Sequence, residues 1–63
     1  VDQYDAAKCI AGNAGKYAAV GVDGKWTIAG ANTDSEYVFL GLHNDAGHTL
    51  ALIECVKAVG KNA

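Results

Sequence analysis

The sequence contains no proline, no methionine and no arginine, and only two cysteines, one tryptophan and one phenylalanine in 63 residues. Each of these absences narrows what the chain can be. Without arginine, and with five scattered lysines against seven acids, it lacks the concentrated basic face that neutralises nucleic-acid phosphates. The same acidic balance, a net charge of −2, disfavours electrostatic capture by anionic membranes. No run approaches the length of a membrane-spanning helix; the longest apolar stretch is Tyr37 to Leu42. Two cysteines 46 positions apart form neither a CxxC redox pair nor a zinc set. Asn32-Thr33-Asp34 and Asn44-Asp45-Ala46 both miss the N-glycosylation pattern.

What remains is rich in small residues, with 12 alanines and 8 glycines. A chain of this length supports one domain, and it buries only about 60% of its unfolded surface. A staple or a partner is therefore expected. The start at Val1 reads as the mature end of a processed precursor, and the chain as secreted. In that setting the economical reading of Cys9 and Cys55 is one long-range disulfide. It would stabilise by roughly 3–4 kcal/mol in the chain-entropy model. The alternative is two unpaired, buried thiols in a cytosolic protein.

Local patterns predict four elements. Asp2 can cap a helix that carries Ala6, Cys9 and Ile10 on one face and stops at Gly12-Asn13-Ala14-Gly15. Tyr17–Val22 and Lys25–Gly30 flank Asp23-Gly24, the dipeptide a type I′ hairpin turn prefers. Glu36–Leu42 reads as an uninterrupted apolar strand, which wants cover on both faces or a central place in a sheet. Beyond a break at His43–Gly47, Leu52, Cys55, Val56 and Val59 recur at helical spacing, and Gly60 stands where a helix stops. The rival for that last segment is a strand from His48 to Glu54 pairing back on Tyr37–Leu42. The preferred order is helix, hairpin, strand, helix. It implies an α+β two-layer sandwich, an antiparallel sheet with two helices on one face, completed by a second chain.

No catalytic group, cofactor site or metal site emerges. Gly12-Asn13-Ala14-Gly15-Lys16 has the wrong glycine spacing and the wrong flanking elements for a phosphate loop. His43, Asp45 and His48 lack a fourth ligand for zinc and read as a polar loop. Cys9 and Cys55 lie on apolar stripes, which does not suit an exposed thiolate nucleophile. Asp34 and Glu36 share a polar loop where solvated acids are the ordinary case. The excess of large apolar groups points to an interface through Tyr37, Phe39, Leu40 and Leu42.

Three stretches carry a resemblance: Asp5-Ala-Ala-Lys-Cys9, the Asp23-Gly24 hairpin with Trp26, and Leu50-Ala-Leu-Ile-Glu-Cys55-Val-Lys57. With them the chain resembles the secreted killer toxins of fungi and yeasts, and within these the α chains of the salt-mediated kind. The resemblance implies a two-layer α/β fold and a non-covalent heterodimer with a longer chain cut from the same precursor. It also implies cytotoxicity toward competing yeast by disturbance of the plasma membrane. Carboxylates such as Asp2, Asp5 and Glu54 near the chain–chain contact would then make the dimer sensitive to pH and salt. A competing reading is a small secreted binding module such as a protease inhibitor, with His43–Gly47 as its presented loop.

Overall fold

The computed structural model describes residues 1–62 and contains no α-helix among them. Its strands are β1 (Tyr17–Val20), β2 (Trp26–Ile28), β3 (Ser35–Asp45) and β4 (His48–Gly60), in one antiparallel sheet of order β2-β1-β3-β4. The chain is thus nearly all-β. The expected α+β sandwich with two helices is overturned.

The first predicted helix shrinks to a single turn. Asp5, not Asp2, caps it: the Asp5 carboxylate accepts from Ala7 N at 2.9 Å, and its carbonyl accepts from Lys8 N and Cys9 N. A 3-10 turn at Ala11–Asn13 follows. One turn of apolar periodicity cannot offset the cost of helix nucleation. The residues ahead of it are drawn instead into pairing with β2: Trp26 N donates to Gln3 O (3.0 Å) and Asp5 N to Trp26 O (2.7 Å).

The second predicted helix is β4, and the rival strand reading holds over a longer span. The pairing runs from Asp45↔His48 through Leu42↔Ala51 and Phe39↔Ile53 to Tyr37↔Cys55. The reversal lies at Ala46-Gly47, both at positive φ (52° and 88°), the backbone of a two-residue type I′ turn. Asn44 serves that turn, its Oδ1 accepting from Gly47 N at 3.3 Å, and caps no helix.

The Asp23-Gly24 hairpin is present with a different turn. Gly24 alone has positive φ (80°), Gly24 N donates to Gly21 O, and Gly21 N donates to Lys25 O. This is a three-residue loop with glycine in the left-handed position. The strands it joins are correspondingly shorter than predicted.

The Tyr37–Leu42 run lies inside β3, flanked by β1 and β4. A bulge at Leu40–Gly41 breaks its alternation. Phe39 is fully buried, whereas Leu40 and Leu42 stand 48% and 41% exposed.

The N-terminal segment ties the two sheet edges together. Val1 exchanges backbone hydrogen bonds with Ala51 of β4, while Gln3 and Asp5 bond to Trp26 of β2. In a flat sheet the lines just outside those edges would lie about 24 Å apart, five strand spacings. Four residues reach only about 13 Å. The sheet is therefore curled, and its concave side holds the core: Cys9, Ala18, Phe39 and Ala51, with Tyr4, Trp26, Ile28 and Ile53 packed against them. Phe39 is the one large side chain fully buried there apart from the smaller Cys9.

Candidate functional site

Two surface features follow from this architecture. The first is the outer side of the β3–β4 ribbon. The register sets Phe39, Ala51 and Ile53 on the core side, so Val38, Leu50 and Leu52 face the other way. The bulge sets Leu40 beside Leu52, which is 41% exposed. Glu54, opposite Val38, is the acid of this face. Of the four residues expected at an interface, Leu40 and Leu42 are exposed and Tyr37 is 42% exposed, but Phe39 belongs to the chain's own core.

The second feature is a cleft of about 240 Å³ between β1 and the start of β3. β1 pairs with β3 only at Tyr17 and Ala18, while it stays paired to β2 as far as Val20. The two strands splay beyond Ala18. The buried Ser35 hydroxyl maintains the gap, donating to Ala18 O and accepting from Tyr37 N at 3.1 Å. Trp26 and Tyr37 wall the opening, their rings 5.2 Å apart and inclined at 74°. Asp34 and Glu36 stand at its rim, and Lys61 reaches Asp34 at 3.5 Å.

Sequence reasoning placed Trp26 in a hairpin and the two acids in a solvated loop, and it joined neither to Tyr37. The four come together through the β2–β3 connection and a strand pairing, neither of which leaves a mark at fixed sequence spacing. Trp26, the single tryptophan of the chain, was the signal available.

The cysteines are not bridged. Both are free: Cys9 is buried with its thiol 3.6 Å from Trp26 O, and Cys55 is exposed on β4 opposite Tyr37. The disulfide expected from the secreted reading is not formed, and the helices expected to carry the two cysteines are a single turn and strand β4. Burial pushes the Cys9 thiol above its ordinary range, and the neighbouring Asp5 charge adds to this, while a hydrogen bond to Asp5 opposes it. A raised pKa keeps Cys9 protonated and unsuited to nucleophilic chemistry. A thiol-reactive reagent at pH 8 is thus expected to modify one cysteine per native molecule and two in denaturant. Two unreactive cysteines in denaturant would restore the bridge.

His43, Asp45 and His48 all lie exposed at the free end of the ribbon, where Asp45 and His48 are cross-strand partners. Among the described residues no group of three or more His, Cys, Asp or Glu could hold a metal ion. The Gly12–Lys16 stretch runs from the Ala11–Asn13 3-10 turn into β1, with Gly15 N donating to Phe39 O. Among the described residues no helix is long and apolar enough to cross a membrane. His43–Gly47 runs into a tight two-residue turn, unlike the extended loop an inhibitor offers to a protease. No protein-family model, curated protein or solved structure matches this chain.

Proposed function

We propose that this chain is a non-catalytic, secreted binding module that acts as one part of a two-chain unit, with the outer side of the β3–β4 ribbon as its contact surface. The observation that carries this reading is the mismatch between inside and outside. Three of the five buried hydrophobic residues are alanines, whereas Leu40 and Leu52, side by side on the outer face, remain 48% and 41% exposed. Burying a half-exposed leucine contributes about 1 kcal/mol. A partner seated on these two would add stability that so small a core does not supply by itself.

The partner is a second polypeptide, held without a covalent link. Cytotoxicity toward yeast, implied by the killer-toxin resemblance, takes second place, because two of the three stretches carrying that resemblance form a single turn and a strand where helices were implied. What favours it still is the same partner-seeking ribbon.

Native mass spectrometry of the protein isolated without denaturant is expected to give the summed mass of two chains. The Leu40→Lys/Leu52→Lys double variant is expected to run as the single chain while keeping its circular dichroism. A lone 6.5 kDa species for the unaltered protein would refute the two-chain reading. A complex that survives both substitutions would move the contact elsewhere. A growth-inhibition assay on yeast lawns with the intact complex separates a toxin from a binding module without toxicity.

A further inference from the structure

We propose that the cleft between β1 and β3 binds a small organic cation of the quaternary or alkyl ammonium class. The cleft is built into the fold and does not arise from a side-chain rearrangement. The splay of β1 from β3 creates it, and the Ser35 hydroxyl holds both banks in place. Its volume of about 240 Å³ accommodates a trimethylammonium group with a short stem and is small for a folded peptide segment.

The lining selects the ligand. Trp26 and Tyr37 meet at 74°, so they form a corner in which a rounded group touches two aromatic walls at once. A sugar ring prefers one flat, open aromatic face, and here Trp26 already packs against the core. Aromatic faces attract cations through the ring quadrupole, most strongly when the cation is poorly hydrated. Val20 adds an apolar contact for methyl groups, and Asp34 and Glu36 supply negative charge at the rim. The same carboxylates disfavour an anion. Lys61 is the cation that faces this rim from the chain itself; it engages Asp34 at 3.5 Å and leaves Glu36 as the principal counter-charge.

The chain has one tryptophan, so its intrinsic fluorescence reports on the wall of the cleft directly. Titration with choline is expected to change that emission saturably, with half-saturation at about 1–10 mM, as suits a partly exposed two-ring site. The neutral isostere 3,3-dimethyl-1-butanol is expected to bind about tenfold more weakly, because it keeps the shape and loses the charge. Glu36→Gln should weaken choline about threefold and Tyr37→Leu about tenfold, each with unchanged far-UV circular dichroism. Lys61→Ala should tighten it about twofold by freeing Asp34. Phosphatidylcholine vesicles, used in place of free choline, tell a lipid headgroup from a soluble cation. Equal binding of choline and the isostere, or the lack of a saturable response to either choline or vesicles, would overturn the proposal. Leu40→Lys/Leu52→Lys should leave choline binding intact, so this result stands apart from that of the two-chain reading.

Discussion

Phe39→Ala is expected to leave this protein unfolded, or nearly so, at room temperature. Phe39 is wholly buried and is the largest side chain at the centre of the curl, in one cluster with Cys9, Ala18 and Ala51. Its backbone is committed as well, since Phe39 N donates to Lys16 O and Phe39 O accepts from Gly15 N. Truncating a buried phenylalanine costs about 3–5 kcal/mol, part lost transfer energy and part cavity. A domain of this size has a total stability of about that order. The neighbours cannot collapse into the space, because three of them are as small as alanine or cysteine. Urea titration followed by Trp26 fluorescence is the check. Phe39→Leu, which keeps most of the volume, is expected to remain folded with a lowered midpoint. A Phe39→Ala variant as stable as the parent would mean that the core lies elsewhere.

The second large effect is expected at Asn62, a residue with no apparent importance in the sequence. Its side-chain amide takes the place of a neighbouring strand. Oδ1 accepts from Tyr17 N at 2.7 Å, while Nδ2 donates to Tyr17 O at 3.1 Å and to Ala29 O at 2.7 Å. Asn62→Ala would strip partners from two partly buried backbone groups, Tyr17 N at the start of β1 and Ala29 O at the end of the first hairpin, while Tyr17 O keeps its bond from Ala29 N. Leaving such groups unsatisfied costs about 1–3 kcal/mol each, reduced here by access of water. A loss of about 2–3 kcal/mol overall is expected, measured as the shift in urea midpoint at constant slope. Amide hydrogen exchange supplies an independent reading: Tyr17 N should lose protection in the variant. Unchanged exchange at Tyr17 would show that the amide bonds are incidental.

Much of the β content was legible, and the reasons are local. Asp23-Gly24 between two apolar runs marks a hairpin because glycine is needed at the left-handed position of the turn. The unbroken apolar run at Tyr37–Leu42 asked for a central strand, and β3 occupies one. The failures share one cause. Leu52, Cys55, Val56 and Val59 fit a helical stripe, yet the same segment alternates well enough for a strand, with Ala51 and Ile53 inside and Leu50 and Leu52 outside. Periodicity over so few residues does not separate the two. The reversal that decides it uses Ala46 at φ 52°, where asparagine would have been the recognisable choice. The cap expected at Asp2 is supplied by Asp5, because Gln3 and Asp5 pair with Trp26 and push the turn further along the chain.

The candidate site was less legible than the fold. Leu40 and Leu42 could be nominated as surface because the run held more large groups than one core needs. Phe39 could not be told apart from them, since the pairing with β4 and the bulge at Leu40–Gly41 decide which side each of these residues takes. The cleft was invisible, because Trp26, Glu36 and Tyr37 meet across β1 and not along the chain.

By itself the sequence determined an acidic balance without a basic face, no apolar run long enough for a spanning helix, and a glycine hairpin between Tyr17 and Gly30. These are properties of composition and of turns, set within a few residues. The tertiary structure alone decided that the N-terminal segment keeps only short turns and the C-terminal one is strand, that the cysteines stay apart, and that the N-terminal segment closes the sheet from Ala51 to Trp26. Those outcomes depend on backbone groups finding partners far along the chain. Such pairing outweighs the propensity of a single helical turn, and side-chain spacing does not record it.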